Sequence, residues 1–132
     1  MTPTLFEIRF GVRDYECDAQ GIVNNANYLH YLEITRHAFC EARGTSFRAM
    51  HEAGIDPVVR KIEIEYLNSL TMGDTVLASL DVRREGARYL FIQEIRRASD
   101  GAIAARATVT VVVLEDGRLS RGDAVAQMLG ID

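Results

Sequence analysis

The sequence predicts an α+β domain in which one long central helix lies against a curved five-stranded antiparallel sheet. Three observations carry that expectation: a strand-period segment near the start, one extended helical period from Asn27 to Arg43, and four later strand-period segments separated by turn signals. With 132 residues, 48% hydrophobic and 26% charged, the chain has the size and composition of one globular domain over residues 1–132.

From Leu5 to Arg13, Phe6, Ile8, Phe10 and Val12 alternate with Glu7, Arg9 and Arg13, the pattern of a half-buried strand. The Asp, Gly and Asn residues between Asp14 and Asn27 turn the chain. Next, Tyr28, Tyr31, Leu32, Thr35, Ala38, Phe39 and Ala42 fall on one helical arc, with His30, Glu33, His37 and Glu41 opposite. Asn24, Asn25 and Asn27 each suit the N-terminal cap, and Gly44 suits the C-terminal stop. After a mixed segment ending near Pro57, Ile62, Ile64 and Tyr66 alternate with polar neighbours, as do Val76, Ala78, Leu80 and Val82. Two further strands run from Arg88 to Arg97 and from Ala102 to Leu114.

Gly73-Asp74, Glu85-Gly86 and Ser99-Asp100-Gly101 read as hairpin turns, so strands adjacent in sequence are expected to pair antiparallel. In the last strand Ile103, Ala105, Ala107, Val109, Val111 and Val113 share one face, small enough in places to admit the helix. Its other face carries Thr108, Thr110, Val112 and Leu114 beside Arg106. Covering that face calls for a second copy, so a homodimer at least, extending to a homotetramer, is expected. Residues 120–129 read as a closing helix capped by Ser120, with Asp123 in the capping-box position.

The net charge is −4, and 14 of the 15 basic residues are Arg. This balance argues against a nucleic-acid surface but suits a small anionic ligand. No apolar run approaches the roughly 20 residues that cross a bilayer. Met1 to Phe10 already holds Glu7 and Arg9, unlike a secretory leader, so a cytoplasmic location without membrane insertion is expected. Cys17 and Cys40 lack the spacing of a zinc knuckle and the number of a disulfide framework, and read as reduced thiols. His30, Glu33 and His37 share a helix face from which a metal site can be drawn. Charged and His side chains on a solvent or interface face are the ordinary explanation, and no metal is expected.

The informative segment is Tyr15 to Tyr28, Tyr-Glu-Cys-Asp-Ala-Gln-Gly-Ile-Val-Asn-Asn-Ala-Asn-Tyr. It resembles the signature of the hot-dog-fold acyl-CoA thioesterases, in the branch typified by 4-hydroxybenzoyl-CoA thioesterase and the small bacterial enzymes associated with the Tol-Pal system. That signature is Asp-x-x-Gly-(Ile/Val)-Val, four variable residues, then Tyr; Asp18, Gly21, Ile22, Val23 and Tyr28 match it. A second similarity runs from Pro57-Val58-Val59-Arg60 through Ile64-Glu65-Tyr66-Leu67 to Gly73-Asp74.

The resemblance implies hydrolysis of an acyl-CoA thioester to a free acid and CoA. Asp18 would act as nucleophile or as general base, and the backbone N–H of Asn25 would donate to the oxyanion. Gly21, Val23 and Tyr28 would shape the substrate site. Glu33 matches an acidic helix position of the family, which reads either as a catalytic aid or as a surface carboxylate. CoA phosphates call for arginines. Arg83, Arg84 and Arg88 flank the Glu85-Gly86 turn, Arg88 at a basic position of the family's nucleotide-contacting segment, and Arg60 with Lys61 forms a second set. No cofactor is implied beyond the CoA that the substrate carries.

The chain departs from the pattern at Asn24-Asn25, where several bacterial relatives carry Tyr-His and the hydroxybenzoyl enzyme two aromatics. It therefore lacks an imidazole there and has less aromatic wall. Val23-Asn24-Asn25 also resembles plant acyl-carrier-protein thioesterases, which keeps that donor open. A hot-dog dehydratase is disfavoured because no His precedes His30. A non-catalytic acyl-thioester-binding protein would keep the pocket without requiring Asp18.

Overall fold

The alternation after Leu5 forms strand β1, Phe6–Gly11, followed by a one-turn 3-10 helix at Asp14–Glu16 and by helix α1, Asn25–Ala42. The structure is a computed structural model that describes residues 3–131. The ends of the expected domain, including Met1 of the leader reading, lie outside the described residues. Asn24 caps α1, its side-chain oxygen accepting the Ala26 N–H at 2.9 Å and satisfying one of the donors that a helix start leaves free. At the other end Gly44 adopts φ +82°. Its N–H reaches the Glu41 carbonyl and that of Thr45 the Cys40 carbonyl, a Schellman closure.

Helix α1 buries Tyr28, Tyr31, Leu32, Thr35, Arg36, Phe39 and Cys40. The arc is wider than the expected stripe and turned from it: Ala42 is exposed, and Arg36 and Cys40 are buried instead. The helix packs against β1, β3 and β4 of the sheet. A second helix, α2 at Phe47–Glu52, is capped by Ser46, whose hydroxyl accepts the Ala49 N–H. It occupies the segment read as mixed, because six residues are too few to display a helical period.

The remaining elements are β2 (Ile55–Tyr66), β3 (Thr75–Glu85), β4 (Arg88–Arg97), β5 (Ile103–Glu115), a short β6 (Arg118–Ser120) and α3 (Asp123–Leu129). The sheet order is β1-β3-β4-β5-β2, with β6 added to β5 and every pairing antiparallel. The five expected strands are present and β6 makes a sixth. The turns at Glu85-Gly86 and Ser99-Gly101 join paired strands, as predicted.

The Gly73-Asp74 turn does not. Strand β2 pairs with β5 at the far edge, and β3 pairs with β1. The reason lies between them. Leu70 is fully buried, its carbonyl accepts the Val23 N–H at 2.8 Å and its N–H donates to the Tyr28 hydroxyl, so this segment crosses the mouth of α1 instead of reversing.

The inner face of β5 carries small residues, with Ala105 and Ala107 buried in line with Val109, Val111 and Val113. Phe6 meets Phe39 at 5.6 Å and Phe10 meets Tyr31 at 4.9 Å between ring centroids. Each large apolar side chain so buried contributes roughly 1.5–3 kcal/mol. On the outer face Arg106 is exposed, Thr108, Val112 and Leu114 are half-buried, and Thr110 is buried.

The closing helix starts later than expected. Its cap is Gly122 at φ +76°, the Ser120 hydroxyl accepts the Gly122 N–H, and Asp123 is the first helical residue, where its charge suits the helix dipole. Among the described residues no helix is long and apolar enough to cross a membrane.

Candidate functional site

The polar stretch between β1 and α1 folds back on itself around two acids. Glu16 turns inward and is 7% exposed. Its Oε1 accepts the Arg13 N–H and the Tyr31 hydroxyl, each at 2.8 Å, and its Oε2 lies 3.3 Å from the Arg13 guanidinium. Burial, and then the Glu16 carboxylate, hold the Tyr31 phenol well above its usual range, so it stays a donor. The Glu16 carbonyl accepts the Asn24 N–H at 3.0 Å and the Asn27 side chain at 2.8 Å. Sequence reasoning passed over Glu16. The signal available was Tyr31, an inward-facing hydroxyl that requires an acceptor.

Asp18 sits two residues further on, at the solvent side of the same loop. Its N–H donates to the Ile22 carbonyl and its carbonyl accepts the Gly21 N–H, closing a tight turn in which Gly21 has φ +79°. A residue other than glycine is strained there. The Asp18 Oδ1 accepts the Gln20 N–H at 2.9 Å, which orients the carboxylate and leaves Oδ2 without a protein partner among the described residues. Cys17 and Val23 bridge across the base of the turn, and Val23 is buried. Desolvation and then the surrounding carboxylates push the Cys17 thiol up, so it stays a neutral thiol near neutral pH.

Asp18 and the start of α1 line one cleft of about 570 Å³, together with Tyr28, Tyr66, Leu67 and Asn68. The Asn24 cap takes up the Ala26 N–H, and Asn27 donates to the Asn24 carbonyl. The Asn25 N–H has no acceptor among the described residues. It is a free donor at the positive end of an 18-residue helix. Tyr66 of β2 closes the wall: its hydroxyl donates to the Asn25 carbonyl at 3.2 Å, and its ring meets Tyr28 edge-on at 5.4 Å. Burial pushes the Tyr28 hydroxyl up, so it enters the wall as a neutral phenol. A carboxylate and an unpaired amide facing one cleft can activate a nucleophile and stabilise an oxyanion at a single carbonyl.

Asp18, Gly21, Val23, Asn25 and Tyr28 are thus brought together, and the other expected residues lie elsewhere. Glu33 is eight residues along α1 from Asn25, about 12 Å by helical rise. It is exposed and lies 3.7 Å from His37. Arg60 is exposed at the irregularity of β2 between Val59 and Lys61. Arg84 and Arg88 point to opposite faces of the sheet. Arg84 lies over the Tyr89 ring and donates to Asp123 at 2.9 Å, tying α3 to the sheet, whereas Arg88 is exposed. Among the described residues no group of three or more His, Cys, Asp or Glu is arranged to hold a metal ion.

Residues 12–127 match the thioesterase-like superfamily. Over 114 residues the chain is 28% identical to a putative esterase of Aquifex aeolicus, covering 86% of this chain and 88% of the relative. Over 105 residues it is 30% identical to the long-chain acyl-CoA thioesterase FadM of Escherichia coli, covering 79% of each. The crystal structure of a hypothetical protein from Aquifex aeolicus superposes with a TM-score of 0.86 at 26% identity, covering 94% of this chain and 98% of that one.

Proposed function

We propose, from the premise that this chain belongs to the thioesterase-like superfamily and has its hot-dog fold, that it hydrolyses acyl-CoA thioesters to a free acid and CoA. The observation that carries the reading is the shared cleft: Asp18 and Asn25, whose N–H has no acceptor among the described residues, line the same volume. In this reading the thioester carbonyl oxygen lies at the Asn25 amide. Asp18 either attacks the carbonyl carbon, giving a mixed anhydride that water then hydrolyses, or removes a proton from an attacking water. Either route expels CoA thiolate, a good leaving group near neutral pH.

Gly21 and Val23 set the turn, and Tyr28 and Tyr66 form the wall beside the acyl group. Exposed Arg60 and Arg88 supply charge for the CoA phosphates, while Arg84 acts from behind by fixing α3 against the sheet. No role in its own protomer's reaction falls to Glu33. A second copy completes the protein. Strand β2 is an edge of twelve residues with Val58 exposed on its outer face, and its free backbone edge pairs with another strand.

The test is release of free thiol from a panel of acyl-CoA esters, with an acyl-carrier-protein ester as a parallel arm. Asp18→Asn is expected to lower kcat by about 10²–10⁴, the usual contribution of a positioned acid or base. Turnover near that of the parent in Asp18→Asn refutes the assignment. Binding without thiol release for any ester refutes the hydrolase reading.

A further inference from the structure

Arg36 projects from the middle of α1 and is 5% exposed. Its Nη1 donates to the Gln93 Oε1 at 3.0 Å, while the Gln93 Nε2 donates to the Leu32 carbonyl, so Gln93 is fixed between strand and helix. Among the described residues no carboxylate lies within ion-pair distance of Arg36, and its other N–H groups have no protein acceptor. Such a cation is expensive to keep buried, and burial lowers its pKa from the usual arginine value.

The guanidinium lines a cavity of about 240 Å³ whose other walls are Phe47 of α2, Pro57 and Val59 of β2, and Val111 of β5. Glu33 and His37 also line it, but they lie 3.7 Å from each other and both reach solvent. The remaining groups facing the cation are apolar or, in Gln93, neutral. The exposed Glu33 carboxylate offsets part of the burial cost of Arg36 from a distance, without an ion pair. A partly apolar chamber with a guanidinium that lacks an ion-pair partner in its wall suits an apolar chain that ends in an anion.

Strand β2 borders this chamber as well as the Asp18 cleft. Tyr66 lines one and Val59 the other, and both face inward opposite Ala105 and Val111 of β5. Between them the inward positions are Ile62 and Ile64. On α1 the two sites are eleven residues apart, Asn25 to Arg36, or about 16 Å of rise. Helical side chains lean toward the N-terminus, which shortens the gap. At about 3.5 Å for every three bonds, about fourteen bonds of extended chain cover the full rise, and fewer cover it once that lean is taken off.

We propose that Arg36 is a specificity residue of the hydrolase described above: it receives a carboxylate at the far end of the acyl group, so the substrates are CoA thioesters of dicarboxylic acids. This rests on the acyl-CoA reading and adds the class of acyl group.

The test uses non-hydrolysable S-alkyl-CoA thioethers of about eight to twelve carbons, in pairs ending in methyl or in carboxylate, with binding measured by calorimetry. The carboxylate-ended analogue is expected to bind the parent protein at least tenfold tighter at the best chain length. Arg36→Gln is expected to abolish that preference and Arg36→Lys to retain part of it. Equal binding of the pair by the parent protein, or a preference that survives Arg36→Gln, overturns this inference alone. Binding of neither analogue removes the acyl-CoA reading and this inference with it. The parent comparison is decisive even where a variant does not fold.

Discussion

Replacing Glu16 by Gln probes the support beneath the Asp18 loop without changing its shape. The parent carboxylate accepts two buried or half-buried bonds, from the Arg13 N–H and the Tyr31 hydroxyl, each at 2.8 Å. A hydrogen bond to a charged acceptor is worth about 1.5–3 kcal/mol and a neutral one about 0.5–1.5 kcal/mol, so removing the charge costs about 1 kcal/mol per bond and about 2 kcal/mol in all. The Arg13 ion pair adds little, because its guanidinium is largely solvated. With an unfolding entropy of about 2.1 cal/mol/K per residue, a chain of 132 residues loses roughly 7 °C of Tm for that change.

Tyr31→Phe removes one of the two donors and is expected to cost about 1 kcal/mol by itself. The double variant should fall short of the sum by a comparable amount, because both changes delete the same bond. The assays are thermal unfolding of the four proteins and steady-state hydrolysis of one acyl-CoA. Since the Glu16 carbonyl also ties the loop to Asn24 and Asn27, Glu16→Gln should lower kcat more than it changes KM. Additivity within about 0.3 kcal/mol would refute the Tyr31–Glu16 bond as a stabilising contact. A lowered Tm with unchanged kcat would refute Glu16 as a positioning residue.

Three further outcomes are expected. Gly21→Ala should cost about 1–2 kcal/mol, the strain of its left-handed backbone alone, because no atom lies within 4 Å of the added methyl. Gly122→Ala should cost more, since its methyl meets the Tyr89 ring at 2.9 Å and Val113 at 3.0 Å on top of the same strain; equal losses of Tm would contradict that packing. Light scattering at micromolar concentration should give the mass of at least two chains, and Val58→Asp on the exposed edge should lower it. A monomeric parent protein removes the case for β2 pairing.

Local pattern was enough for the elements whose burial has a single period. The alternation of β1, the inner face of β5, the Asn24 cap and the Gly44 stop are written in neighbouring residues, because a strand shows two faces and a helix end needs particular donors and acceptors. The Asp-x-x-Gly-Ile-Val run likewise placed Asp18 and Asn25 together, since a tight turn feeding a helix start fixes their separation over a few bonds. What neighbours cannot specify is which strands meet. Gly73-Asp74 looks like any hairpin turn, yet Leu70 is drawn into the core and carries the chain across the mouth of α1, so β2 ends beside β5. Burial of Glu16 and Arg36 was hidden for the same reason: each faces partners far away in sequence, Tyr31 for one and Gln93 for the other. The sequence therefore determined the central helix, the five long strands and the meeting of Asp18 with the helix entrance. Only the curl of the sheet decided which charged side chains it encloses, because enclosure depends on contacts that form after the elements have packed.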